Sequence, residues 1–268
     1  MKFKFLVVTF NIVLIVSFLI VFFTPFFALD AGFMAEFWLR NWYLAAVFLL
    51  LIAGVNLLFV LNGRTLVLLE REDWPALAAH LERQVFDRGR LTRRTVRLLC
   101  DALILLADFQ SIARLEALLA AKRPRLLDSL GPHFAAARLL AGDYPGLETF
   151  AAQDRFRSGP DADWMGFFLG FARQMGKKDA VDALVSLSRT ARDPIVVALA
   201  GYLAGGAVAR GNPARAEEAR SAAAEARDRV RARFSRARWD RAVDEARSQM
   251  YVVMVGKLLD EAGAWLFS

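Results

Sequence analysis

Residues that commonly carry chemistry are scarce in this sequence. It has one cysteine, Cys100, and two histidines, His80 and His133. One cysteine excludes a disulfide within the chain, and histidines 53 residues apart, without cysteine or acid pairs at ligand spacing, do not predict a metal site. We interpret Cys100 as a small core residue. We interpret His133, which follows Gly131-Pro132, as a packed or helix-capping residue.

The motifs of common enzyme classes are also missing. The glycine-containing stretch at residues 201–206 lacks the lysine of a phosphate-binding loop and is apolar, so its glycines favour close helix packing. The acid pairs Glu217-Glu218 and Asp260-Glu261 are adjacent in sequence, and adjacent residues on a helix do not face each other. We therefore predict that the protein is not an enzyme, that it has no cofactor and that it has no small-molecule substrate.

Charge is absent from two long apolar runs. Residues 5–29 form an uncharged stretch of 25 positions, and residues 41–63 form another of 23. About 20 apolar residues cross a bilayer as a helix. We predict a transmembrane hairpin over residues 1–63, with spans at about 5–29 and 42–62. The alternatives are two buried core helices or a cleaved signal peptide, although cleavage after Ala28 would place Phe26 where a small residue is required.

Lysine and arginine flank the two runs unequally. Lys2 and Lys4 precede the first run, eight arginines follow the second between residues 64 and 97, and the connecting loop holds only Arg40. Because positive residues favour the cytoplasmic side, we predict a two-pass protein of a bacterial inner membrane, with both termini and the soluble part in the cytoplasm. A soluble part that faces the periplasm is the alternative.

Polar and aromatic side chains of this hairpin are predicted to lie at different depths in the membrane. Asn11 and Asn56 lie inside the apolar runs, at depths that differ by about one helical turn, or ~6 Å. We predict a hydrogen bond between them, the alternative being that each bonds within its own neighbourhood. Five aromatic residues in and after the loop are predicted to lie at the membrane interface: Phe33, Phe37, Trp38, Trp42 and Tyr43.

After residue 63 a polar residue followed by a helix start recurs along the chain. The steps are Asp73-Trp74, Asp108-Phe109, Asp143-Tyr144, Asp179-Ala180 and Asn212-Pro213, with spacings of 35, 35, 36 and 33 residues. A helix breaker follows each of the first four steps after 14 to 16 residues, namely Gly89, Pro124, Pro160 and Pro194. Repeats of this period are two-helix units that must stack to bury a core.

The third step stands in the motif Ala141-Gly142-Asp143-Tyr144-Pro145-Gly146-Leu147, which resembles the inter-helix turn of the tetratricopeptide repeat family. The segments at 106–109 and 176–180 are similar to it, although the early Trp and the Leu-Gly pair of the family's first helix are missing. The resemblance implies an all-α, tetratricopeptide-like solenoid, which we assign to residues 64–236. We predict that residues 237–268 form a capping helix. A plain helical bundle is the alternative.

The resemblance also implies a binding surface. In such stacks the first helices of successive units line a concave face, which here would receive Arg94, Arg97 and Asp101 from the second unit and Met165 and Phe168 from the fourth. A groove that is basic at one end and apolar at the other suits a helix or an extended tail with an acidic end. The order of two spans before repeats is similar to that of membrane proteins of the HemY family.

These features predict a membrane-anchored scaffold or adaptor that binds protein partners and assembles a membrane-associated complex. An accessory subunit of an envelope or transport machine is a related alternative. A second class of function is the binding of nucleic acid or anionic lipid. It rests on the basic stretch at residues 210–241, which has ten arginines against five acids. Because acids interrupt this stretch and no recognition motif accompanies it, we expect no nucleic acid partner.

Overall fold

The computed structural model of the chain describes residues 2–28 and 31–268, and within them every regular element is a helix. The predicted all-α class is therefore confirmed. The chain forms two compact units, Met1–Gln84 and Val85–Ser268. The first unit extends past residue 63, where the sequence placed its end, because the second helix continues to Glu70 and a third helix packs against it.

The first unit consists of α1 (Lys2–Ala28), α2 (Ala31–Glu70) and α3 (Trp74–Glu82), and a π-helical turn (Arg83–Asp87) crosses its end. The hydrogen bond predicted from the sequence is present, since Asn56 Nδ2 donates to Asn11 Oδ1 at 2.8 Å. Farther along, the rings of Phe18 and Phe48 lie 5.5 Å apart between centroids. Phe18 follows Asn11 whereas Phe48 precedes Asn56, so α1 and α2 run antiparallel.

Apolar side chains cover the outside of this helix pair. Among the described residues, 19 large apolar side chains between Phe5 and Leu57 are at least 43% exposed, whereas the second unit exposes five. Leu39–Leu57 is long and apolar enough to cross a membrane and is 0% buried, and Val8–Thr24 is a shorter apolar segment. Pro194–Gly211 passes the same test of length and composition but is 61% buried, as expected of a core helix of the second unit.

Of the five predicted interface aromatics, Phe33, Phe37 and Trp38 have side chains that lie outside the described residues. Trp42 and Tyr43 are exposed on α2, 67% and 50% respectively. The Tyr43 hydroxyl donates a hydrogen bond to Asn41 Oδ1 at 3.1 Å. Asn41 has non-helical backbone angles, so α2 is kinked immediately before these two aromatic residues.

The second unit is built from short helices in chain order. They are α4 (Arg93–Leu105), α5 (Phe109–Lys122), α6 (Pro124–Asp128), α7 (Gly131–Leu140), α8 (Tyr144–Ala151), α9 (Ala162–Met175), α10 (Val181–Thr190), α11 (Pro194–Leu203), α12 (Ala209–Gly211), α13 (Ala216–Arg231), α14 (Arg236–Ala246), α15 (Met250–Met254) and α16 (Gly256–Phe267). A π-helical turn, Ala204–Val208, joins α11 to α12, and 3₁₀ turns cover Asp154–Phe156 and Pro213–Arg215.

Neighbouring helices of this unit pack in pairs, and the pairs pack in sequence. The pairs are α4 with α5, α7 with α8, α9 with α10, and α11 with α13. The first helix of each pair contacts the first helix of the next, from α4 through α7 and α9 to α11. The core lies between these layers, where Leu99, Leu115, Phe134, Phe167 and Leu184 are fully buried.

One turn conformation recurs at a constant interval. Glu72, Ala107, Gly142 and Lys177, each 35 residues after the last, have positive φ angles of 54°, 53°, 69° and 55°. At each one the amide of the positive-φ residue donates to the carbonyl three residues back, as Gly142 does to Leu139. The next amide donates to the carbonyl five residues back, as Asp143 does to Arg138. This is the Schellman arrangement that ends a helix.

An aspartate follows each of these turns and starts the next helix. Asp73, Asp108 and Asp143 accept hydrogen bonds from the amides three residues ahead, at 3.1, 3.0 and 2.9 Å, while Asp179 accepts from the Val181 amide at 2.9 Å. The predicted helix starts at Trp74, Phe109 and Tyr144 are therefore confirmed, and the fourth helix starts one residue late. The fifth step, Asn212-Pro213, opens a 3₁₀ turn before α13.

The prediction of one capping helix over residues 237–268 is wrong. This stretch holds α14, α15 and α16, which are separated by turns at residues 247–249 and at Val255. Val255 interrupts the helix because its φ of −102° and ψ of 16° are not α-helical. Helix α16 packs on the last pair, against α11 and α13, whereas α15 packs on α7.

We expect opposite substitutions at equivalent turn positions to change stability in opposite directions. Gly142→Ala places a Cβ on a left-handed residue and should lower the free energy of unfolding by about 1 kcal/mol. A Cβ there meets nothing within 4 Å, so no steric clash adds to the backbone strain. Ala107→Gly should raise the free energy of unfolding by a similar amount. Guanidinium unfolding of the detergent-solubilised chain measures both changes. If both variants changed the free energy of unfolding in the same direction, the two positions would not share one turn conformation.

The Asn11–Asn56 hydrogen bond should appear as a coupling energy. Asn11→Leu and Asn56→Leu should each destabilise the detergent-solubilised protein, with an interaction term of about 0.6 kcal/mol in the double-mutant cycle. Asn56 also donates to the Ile52 carbonyl at 2.8 Å, a bond that Asn11→Leu leaves in place. Strictly additive losses would show that the two side chains do not stabilise each other.

Candidate functional site

The five predicted partner-binding residues do not form one open surface. Arg94 is exposed on α4, and Arg97 and Asp101 lie partly exposed on the same helix. Met165 and Phe168 are only 1% and 0% exposed on α9. Their assignment to an open groove is therefore wrong: Phe168 packs in a cluster of aromatic rings whose centroids lie 6.2 Å away at Trp164 and 5.7 Å away at Phe167.

The C-terminal part of the chain covers the first helices where the groove was predicted. The short helix α15 packs on α7, and its Tyr251 ring meets His133 edge-on at 5.2 Å and Trp164 at 5.0 Å. Arg97 Nη2 donates to the Ser248 carbonyl at 3.3 Å. Residues 248–251 of this chain thus occupy the surface that α4, α7 and α9 would otherwise present to a partner.

Beneath this cover the buried His133 lies beside the partly buried Asp101. Asp101 Oδ1 lies 3.6 Å from His133 Nε2, which is beyond hydrogen-bond distance. Among the described residues neither of these atoms, nor His133 Nδ1, has a hydrogen-bond partner. His133 is 4% exposed, so the pair is a closed polar contact inside the unit and not an open reaction centre.

The same burial shifts the two pKa values in opposite directions. Burial raises the pKa of the Asp101 carboxyl to about 6, although Arg97 acts to lower it. Burial lowers the pKa of His133 to about 4, and the nearby positive charges of Arg97 and Arg93 lower it further. Burial also raises the pKa of the covering Tyr251 phenol to about 12, with contributions from carboxylates on neighbouring helices. His133 is consequently neutral at pH 7.

A network of aspartates fixes α9 to the start of α11. Trp164 Nε1 donates to Asp193 Oδ2 at 2.9 Å, and Asp193 Oδ1 accepts from the Ile195 amide at 2.8 Å at the first turn of α11. Asp163 Oδ2 accepts from the amides of Arg192 and Asp193 at 2.7 and 2.8 Å. These bonds hold Trp164 against Tyr251, so they also position the covering segment.

A solvent-open cleft lies at the other end of the unit, where α13 faces α11 and the π-helical turn. It has a volume of about 400 Å³, and its lining residues are Tyr202, Gly205, Gly206, Arg220, Ala223, Ala224, Arg227, Asp228, Arg231 and Trp265. Two smaller cavities have volumes of about 280 and 140 Å³. Sequence reasoning missed the cleft because it interpreted the glycines and the arginines separately.

Glycines allow the two walls to approach each other at the base of the cleft. A Cβ on Gly201 would lie 2.7 Å from Ala226 Cβ, and one on Gly205 would lie 2.7 Å from Ala223 Cβ. Any larger residue at either position would therefore separate α13 from this wall. Gly206 differs, because its added Cβ would meet only Arg210 Nη2, at 3.9 Å. The wall at Gly206 is open, and the Arg210 guanidinium reaches over it.

The charged side chains around the cleft are mostly arginines, and carboxylates of this chain do not pair with all of them. Arg227 donates to the Leu266 carbonyl at 3.2 Å and to the backbone oxygen of Ser268, and its guanidinium lies 5.9 Å from the centre of the Trp265 ring, so this side chain is bonded within the chain. Arg220 and Arg231 are exposed, and within the described part of the chain neither lies within 4.0 Å of a carboxylate oxygen. Asp228 is the one acid among the lining residues of this cleft as described.

The Asp101–His133 pair predicts opposite pH responses for two variants. The raised pKa of Asp101 stabilises the fold below about pH 3.8, and this stabilisation is lost as pH rises through about 6. The lowered pKa of His133 stabilises the fold above about pH 6.5, and this stabilisation is lost as pH falls through that value toward 4. Between pH 7 and 5 the two contributions therefore oppose each other.

Relative to the parent protein, Asp101→Asn should lose stability as pH falls from 7 to 5, because only the histidine contribution remains. His133→Gln should gain stability over the same interval. Thermal unfolding followed by circular dichroism measures both slopes, and Asp87→Asn, at an exposed carboxylate, controls for the loss of one charge. If both variants kept the parent slope, the pair would not titrate as its burial implies.

Comparison with known proteins places the chain in a family. A protein from Treponema pallidum (strain Nichols), described as an uncharacterized protein, is 38% identical over 230 residues, which cover 82% of this chain and 74% of that protein. No solved structure matches the chain. A family model described as "Uncharacterised Treponema protein" matches residues 111–268, a stretch that runs from α5 to α16 and includes the cleft. The chain therefore belongs to this Treponema protein family.

Proposed function

We propose that the protein is a membrane-anchored helical-repeat scaffold that binds protein partners during assembly of a membrane-associated complex. In this proposal α1 and α2 form a transmembrane hairpin in a bacterial inner membrane. The repeats form a tetratricopeptide-like solenoid in the cytoplasm. The scaffold has no catalytic function of its own, and it works by holding a partner at the membrane surface.

The exposed apolar surface of α1 and α2 is the observation that carries the membrane anchor. Leu50 is 72% exposed and Ile20 61%, while buried residues are missing from the described parts of both helices up to Leu57. Water would disfavour so large an apolar surface, whereas a bilayer core is the solvent it suits. The mutual hydrogen bond of Asn11 and Asn56 fits the same setting, because polar side chains in hydrocarbon pair with each other.

The repeat character of the second unit supports the scaffold role. Equal turns at 35-residue intervals and successive contacts between first helices are properties of stacked two-helix repeats. Such stacks commonly serve as extended binding surfaces. The similarity to tetratricopeptide repeats found in the motif around Asp143 agrees with this geometry, since Asp143 forms the turn and caps α8.

Membrane fractionation and topology reporters test the anchor. The protein should stay with the membrane after carbonate extraction, because the helix pair inserts in the bilayer. A reporter fused after Arg71 should report the cytoplasm, and a reporter within residues 31–38 should report the opposite side. Release by carbonate would contradict the anchor. A periplasmic signal after Arg71 would instead make the protein an envelope-side scaffold.

Purification of the complex after crosslinking in cells tests the scaffold role. A protein partner should copurify in a fixed stoichiometry, and the interaction should survive nuclease treatment. Salt-dependent binding of nucleic acid by the purified protein, without a protein partner, would favour the alternative that the basic stretch at residues 210–241 binds a polyanion.

A further inference from the structure

We propose that the cleft between α11 and α13 binds an acidic segment of the protein partner. This inference rests on the proposed function, because it assumes that the partner is a protein. It names a different surface from the one that the repeat pattern predicted. The first-helix face at α4, α7 and α9 is occupied by Ser248 and Tyr251, whereas the cleft is open to solvent.

Three arginines form a row along the cleft. Arg220, Arg227 and Arg231 stand seven and four residues apart on α13, so they share one face of the helix. The helical rise separates their backbones by about 10 and 6 Å. In an extended segment, side chains on the same side repeat every ~6.6 Å. The step of about 6 Å is close to one such repeat, whereas the step of about 10 Å falls between one and two repeats. Carboxylates at alternate positions therefore reach the row only as the long arginine side chains adjust to them.

The arginine row is positioned to receive carboxylates from outside the unit. Arg220 and Arg231 are exposed without an ion-pair partner in the described structure, whereas Arg227 between them already bonds to backbone oxygens of Leu266 and Ser268. On the facing wall Arg210 reaches over Gly206. The acids nearby are fewer: Asp228 lines the cleft, and Glu261 Oε2 accepts a hydrogen bond from the Tyr202 hydroxyl at 3.0 Å. Charge complementarity thus selects an acidic occupant.

The rest of the lining suits a peptide backbone and small side chains. Tyr202 and Trp265 lie with their rings 6.1 Å apart between centroids, and Ala223 and Ala224 form the apolar part of the α13 wall. The opposite wall is the π-helical turn Ala204–Val208. Turns of this kind leave the regular hydrogen-bond ladder and occur frequently at functional sites. The volume of about 400 Å³ accommodates a few residues of an extended chain.

Fluorescence anisotropy with the full-length protein in detergent tests the site. The probe is a labelled, amidated octapeptide that alternates glutamate and alanine, and its control carries glutamine in place of glutamate. The parent protein should bind the glutamate peptide and should release it as salt increases. The double variant Arg220→Gln with Arg231→Gln should bind at least about tenfold more weakly, since each charge-assisted bond contributes substantially to affinity.

Two further variants make the test specific. Arg238→Gln with Arg241→Gln removes the same net charge from exposed positions on α14 outside the cleft, and it should bind like the parent. Asp228→Asn removes the acid of the lining and should bind more tightly. Circular dichroism should show unchanged helix content in every variant, which separates a binding loss from unfolding.

Three results would overturn the proposal. The first is an equal loss of binding in the two arginine pairs, which would mean that net charge alone attracts the peptide. The second is binding of the glutamine peptide as tightly as the glutamate peptide. The third is failure of the peptide to bind while phosphatidylglycerol vesicles bind through Arg220 and Arg231, which would assign the cleft to lipid headgroups. None of these results changes carbonate resistance or partner copurification, so the scaffold proposal is judged separately.

Discussion

The second unit depends on one backbone turn that recurs within its helix pairs. A residue in the left-handed conformation ends one helix, and the aspartate that follows starts the next helix, at Asp108, Asp143 and Asp179 within this unit. Because each turn satisfies amides and carbonyls that helix ends would leave unpaired, it fixes the direction in which the chain returns. Pairs of helices with equal turns then stack in chain order, and that order positions both the covered face and the cleft of this unit.

Sequence reasoning found the aspartates but not the left-handed conformation of the residues before them. An aspartate ahead of an apolar helical pattern is a helix-start signal. The left-handed residues went unnoticed because only Gly142 is a glycine, whereas Ala107 and Lys177 carry side chains that rarely adopt this conformation. The break at Val255 was missed although Gly256 stands beside it, because a single glycine without a proline does not by itself end a helical pattern.

The binding surface was harder to predict than the fold. Helical periodicity identified residues that share a face, and it could not reveal that Phe168 packs under neighbouring rings or that Tyr251 covers His133. The Tyr251 contacts with His133 and Trp164 join residues more than 80 positions apart, and no local pattern encodes them. The cleft had a readable signal in the seven- and four-residue spacing of Arg220, Arg227 and Arg231. The glycine wall that faces them follows only from the packing of α11 on α13.

The cover formed by residues 248–251 changes how the repeats cooperate. In a linear repeat array each unit contacts only its neighbours, so one end can unfold while the other remains intact. Here Arg97 bonds to a carbonyl 151 residues away, and Tyr251 bridges α7 and α9. This link joins the end of the array to its beginning. During synthesis the first helices consequently fold without all of their packing contacts, and they gain the last of these contacts only when almost the whole chain has been made.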